Sequence, residues 1–64
     1  MERVVQVLSI AEGVAYPDRQ FTVQAEGLDE LAAAARQSLV ALGHRVRCVS
    51  FTPTGLVAYV ERAQ

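Results

Sequence analysis

A chain of 64 residues with a net charge of −1, 52% hydrophobic residues and a single cysteine is one small domain spanning residues 1–64, near the lower size limit for independent folding. Domains this short bury only about 60% of their unfolded surface and lean on disulfides, metals or oligomerisation. Cys48 alone excludes an internal disulfide. One Cys, one His and scattered carboxylates leave no all-protein metal set, so oligomerisation remains, and the near-neutral charge provides no global attraction to nucleic acid or anionic lipid.

The N-terminus, Met1-Glu2-Arg3 and a short apolar run, has no separate apolar region followed by a cleavage site. Val4 to Ala11 is uncharged but far too short to span a bilayer. The expectation is a cytoplasmic protein with a reduced cysteine. All six basic residues are arginine, which suits planar recognition of phosphate or carboxylate but is better explained by a GC-rich coding sequence.

Val4 to Ile10 is rich in β-branched residues and predicts a strand. Ala11 to Arg19 reads as a nine-residue loop, with Gly13 and Tyr16-Pro17-Asp18 as breaking signals. Gln20 to Glu26 alternates, with Phe21, Val23 and Ala25 on one side and Thr22, Gln24 and Glu26 on the other. Gly27 ends that strand. A helix follows, with Asp29 and Glu30 in its first turn, where carboxylates suit the positive end of the dipole. Leu28, Leu31, Ala32, Ala35, Leu39 and Leu42 trace one apolar stripe, and Gly43 supplies a left-handed stop.

The remaining third predicts a hairpin turning at Phe51-Thr52-Pro53-Thr54-Gly55-Leu56, with Pro53 first in the turn and Gly55 in a left-handed closing position. With Thr52 opposite Leu56, Arg47 falls opposite Glu61 as a cross-strand ion pair. That register places Val46, Cys48, Ala58 and Val60 on one face and Val49, Phe51, Val57 and Tyr59 on the other. The fold expected is α+β, in the order β-β-α-β-β: a four-stranded, mostly antiparallel sheet with one helix packed on one face. The first and last strands are apolar on both sides and suit the centre, while the second and third suit the edges.

Candidates for chemistry are few. Cys48 is expected to be a buried, inert thiol, and His44 to sit beyond the helix C-terminus. The helix start accounts for Asp29 and Glu30, and the ion pair for Glu61. No glycine-rich phosphate loop is present. The reading is therefore a non-enzymatic module with no catalytic residue, cofactor or metal. One helix covers one sheet face, so Val49, Phe51, Val57 and Tyr59 are expected to form a homodimer contact, the smaller-residue face receiving the Ala-rich helix. A nucleic-acid surface built on Arg45, Arg47 and Tyr59, with Phe51 beside them, is the alternative. Membrane binding is not expected, because the polar side of the helix carries Glu30, Arg36 and Gln37 rather than a basic stripe.

Two strands followed by Ala25-Glu26-Gly27-Leu28-Asp29-Glu30-Leu31-Ala32 resemble the small antitoxin domains of the HicB type, in which a sheet leads into a helix opening on an acidic run. The resemblance covers ten or so residues. It implies a small toxin as protein partner and an oligomeric state.

Overall fold

The two most apolar strands lie side by side in the middle of the sheet. In the computed structural model, which describes residues 1–62, β1 (Glu2–Ala11), β2 (Val14–Gln24), α1 (Leu28–Ala41), β3 (His44–Phe51) and β4 (Gly55–Arg62) follow one another in the chain. The strands form one sheet in the order β2-β1-β4-β3. Both hairpins are antiparallel, whereas β1 and β4 pair in parallel, Val4 with Gly55 through Ser9 with Val60. Two-sided apolarity marks a strand covered by neighbours, and β1 and β4 hold the centre as expected.

One helix covers one face. Leu31, Ala35 and Leu39 project from α1 onto Val5 and Val7 of β1, Val23 of β2, and Leu56, Ala58 and Val60 of β4; all nine are buried. Spacings of four keep the helical trio on one stripe. Leu28 and Leu42, at the two ends of the expected stripe, overrun the sheet and are exposed. The helix starts at Gly27 without a side-chain cap and has Asp29 and Glu30 in its first turn. At the far end the Gly43 amide donates to the Val40 carbonyl at 3.0 Å, and its φ of 89° lies in the left-handed region.

The first hairpin differs from its expectation. The nine-residue loop is absent, and β1 and β2 continue to a tight turn at Glu12 and Gly13, whose φ angles are 55° and 78°. Two consecutive positive φ values match the twist of the flanking strands. Pro17 and Asp18 lie within β2, an edge strand, where a missing N–H and an irregularity are tolerated. The register shifts there: Val7 pairs with Arg19 and Leu8 with Pro17, leaving Asp18 as the extra residue of a bulge.

The second hairpin turns where expected, but its strands pair differently. Thr52 and Gly55 close the turn around Pro53-Thr54, with the Thr52 amide donating to the Gly55 carbonyl at 2.8 Å. Phe51 pairs with Leu56 and Cys48 with Tyr59; beyond a second bulge Val46 pairs with Val60 and Arg45 with Glu61. Arg47 is the extra residue. Gly55 does not adopt the left-handed conformation expected for it, as the positive-φ glycines are Gly13 and Gly43. It is glycine for another reason: a Cβ there would collide with the Val4 carbonyl oxygen across the parallel pair.

Candidate interaction surface

The face of the sheet opposite α1 is covered by no other element among the described residues. Cross-strand partners share a face. Val5 with Leu56 and Val7 with Ala58 point to the helix, so Gln6 with Val57 and Leu8 with Tyr59 point away from it. Val4 and Ile10 continue this central strip along β1, with Val4 44% exposed. Thr22 and Gln20 flank it on β2, and Ser50 and Cys48 on β3. Leu8, Ile10, Val57 and Tyr59 are each half-buried, while no layer among the described residues covers their outer side.

The tight turn at Pro53-Thr54 sets Thr52 against Gly55 rather than Leu56, and this one-residue difference redistributes the residues expected at this contact. Val57 and Tyr59 lie on the open face. Val49 pairs with Ala58 and packs against the core beneath the helix. Phe51 pairs with buried Leu56 and is 48% exposed at the rim of the helix side. The four therefore do not share one surface. The same shift moves Cys48, expected to be buried with Val46 and Val60, onto the open face opposite Tyr59, where it is exposed. Leu8, Ile10 and Val4 take the vacated places. Their alternation with Val5 and Val7 was the available signal.

Arg45 and Glu61 are paired residues on the open side, and Arg47 reaches Glu61 Oε2 at 2.7 Å. The expected ion pair thus forms, although the residue opposite Glu61 is Arg45. The Arg47 side chain is well exposed, so the pair contributes only about 0–1 kcal/mol. Its main effect is to neutralise one of the two arginines beside Tyr59.

Both edges are blunted towards the same end of the sheet. β2 carries Pro17 and the Asp18 bulge, and β3 carries Arg45 and the Arg47 bulge. Such devices oppose strand-to-strand association. At this end a cavity of about 320 Å3 is lined by Ser9, Ile10, Ala11, Asp18 and His44. The Ser9 hydroxyl donates to Asp18 Oδ2 at 2.6 Å, so its proton is directed to a carboxylate rather than to the imidazole. His44 Nε2 is buried with no hydrogen-bond partner among the described residues. No group of three His, Cys, Asp or Glu side chains that could hold a metal occurs among them.

The hydrogen bond from Ser9, aided by the charges of Arg19 and His44, holds the Asp18 carboxyl below its ordinary value against a smaller opposing effect of burial. A carboxyl depressed below its unfolded value of about 3.9 stabilises the fold above that pH and loses the contribution as pH falls through the folded value. Asp18→Asn is expected to narrow the difference in urea stability between pH 7 and pH 3. At this largely solvated position the change should stay below about 1 kcal/mol. An unchanged difference would mean that Ser9 and Arg19 do not hold the carboxylate in solution.

The Ala25–Ala32 run that resembles an antitoxin segment is the junction of β2 with α1. No helix among the described residues is long and apolar enough to cross a membrane. No protein-family model, curated protein or solved structure matches this chain.

Proposed function

We propose that this chain is a non-enzymatic interaction module that works as a homodimer, with the open sheet faces of two copies packed against each other. The observation that carries the reading is the two-sided apolarity of β1 and β4, of which α1 covers one side only. Four strands about 4.8 Å apart and about eight residues long, at about 3.3 Å each, present a face of roughly 500 Å2. Two such faces bury roughly 1,000 Å2 together, the lower bound for a specific protein contact. For a 64-residue chain that extra burial is a substantial addition to a small core. The bulged ends of both edges favour contact through the face.

Light scattering at low micromolar concentration is expected to give an even number of copies, and Tyr59→Arg to halve the mass while leaving the far-UV spectrum unchanged. A wild-type monomer, or a mass unaffected by Tyr59→Arg, would overturn the reading. The competing reading is a nucleic-acid surface, favoured by Arg45, Arg47 and Tyr59 lying on the same face. It requires single-stranded RNA or DNA to bind with a salt-dependent affinity that Arg45→Ala with Arg47→Ala abolishes. The Arg47–Glu61 pair and the net charge of −1 weigh against it.

A further inference from the structure

The bulges blunt only part of each edge, and along the rest of β2 no strand pairs with its outer side among the described residues. From Gln20 to Gln24 this edge strand pairs regularly with β1, from Gln6 with Gln20 to Glu2 with Gln24. The segment Gln20-Phe21-Thr22-Val23-Gln24 contains no charge, proline or glycine. Its end is pinned: the Ala25 amide donates to the Met1 carbonyl at 3.0 Å, and the Met1 ammonium to the Ala25 carbonyl at 2.6 Å. An ordered, uncharged edge with unused backbone donors and acceptors is a template for another strand.

We propose that this edge pairs with β2 of a second copy, antiparallel about a two-fold axis at Thr22. The choice of occupant follows from the segment's own symmetry. Read in either direction, it runs amide, apolar, hydroxyl, apolar, amide. An isologous contact requires a patch complementary to itself. With Thr22 facing Thr22, each Gln20 lies opposite a Gln24 on the open side, where side-chain amides are both donors and acceptors. On the helix side each Phe21 lies opposite a Val23, an aromatic–β-branched pair of the kind that stabilises sheets. Phe21 is only partly buried at the rim of the core, and its ring gains cover from this neighbour.

The opposite edge lacks that symmetry. Its regular part, Cys48-Val49-Ser50-Phe51, lies between the Arg47 bulge and the Pro53-Thr54 turn, and its two ends differ in kind. The β2 contact joins two sheets into one of eight strands with both helices on the same side. It uses the edge rather than the open face, so it stands independently of the face-to-face dimer.

The test uses the full chain with Cys48→Ser, to remove the exposed native thiol, and Tyr59→Arg, to disable the face contact. In this background two copies are expected by light scattering. Thr22→Cys should then form an intermolecular disulfide about tenfold faster or more than Gln37→Cys on the exposed side of the helix, because pairing raises the local thiol concentration. Cα atoms of antiparallel partners lie about 4.5–5.5 Å apart, within disulfide reach. Equal oxidation rates, or a monomeric mass, would overturn the edge contact. Val57→Lys replaces Tyr59→Arg should the latter unfold. The two proposals fail separately: a wild-type dimer made monomeric by Tyr59→Arg removes the edge contact alone. A dimer unaffected by Tyr59→Arg whose Thr22→Cys form cross-links rapidly removes the face contact alone.

Discussion

Gly55→Val is expected to leave the chain largely unfolded at 25 °C, by destabilising it more than about 3 kcal/mol. Strand propensity argues the other way, since valine favours extended, pleated positions and glycine weakens them by up to about 1 kcal/mol. Sterics decide the outcome. Any Cβ at position 55 meets the backbone carbonyl of Val4, and a backbone atom in the middle of a sheet cannot swing aside as a side chain does. Relief requires β4 to move away from β1, and that pair joins the two hairpins. Gly55→Ala carries the same Cβ and should be nearly as damaging. Far-UV circular dichroism and a urea titration measure the effect; a folded variant with the wild-type midpoint would mean that β4 does not approach β1 in this register.

Leu39→Ala should cost about 2–5 kcal/mol, because the cavity it leaves adds to the lost burial. Leu39 is fully buried among strand and helix residues. Small domains rarely have more than about 3–5 kcal/mol of stability, so most molecules should unfold or melt near room temperature. Leu42→Ala provides the control. It removes the same atoms three residues along, from a residue that is 52% exposed, and should change stability by less than about 0.5 kcal/mol. Thermal melts of the two variants separate the buried stripe from its exposed end, and equal losses would contradict the placement of α1.

The contrast between those leucines shows what the sequence could reveal. Apolar periodicity identified the helix, its stop at Gly43 and the central position of the first and last strands, because each depends on local pattern or total burial. It could not tell where the stripe overruns the sheet. The bulges were beyond reach for another reason. An extra residue at Asp18 or Arg47 costs its own hairpin some pairing, and its placement depends on how the two hairpins meet at Val4–Ser9 and Gly55–Val60. Tyr16-Pro17-Asp18 has the composition of a turn, yet at an edge it is tolerated inside a strand, which hid the true turn at Glu12-Gly13.

Arg47 and Glu61 are instructive in a different way. Opposite charges fourteen positions apart agreed with the expected register, and the ion pair does form. A long flexible guanidinium reaches its carboxylate from the bulge as well as from a directly facing position, so the pair is compatible with either register. Because one residue of slip reverses every side chain beyond it, Val49 and Phe51 moved to the helix side and Cys48 to the open side. The open face was legible in the pattern, but of the four residues expected on it only Val57 and Tyr59 lie there.

The parallel pairing of β1 with β4 also governs how the molecule folds. Each hairpin and the helix form from residues close in sequence, and such elements appear within microseconds. The central seam instead brings together residues about fifty positions apart, as in Val4 with Gly55, and that encounter carries the loop-closure entropy for the whole chain. The seam therefore sets the folding speed. Until it closes, two marginal hairpins have no common core, so a denaturant titration is expected to show one cooperative transition rather than two.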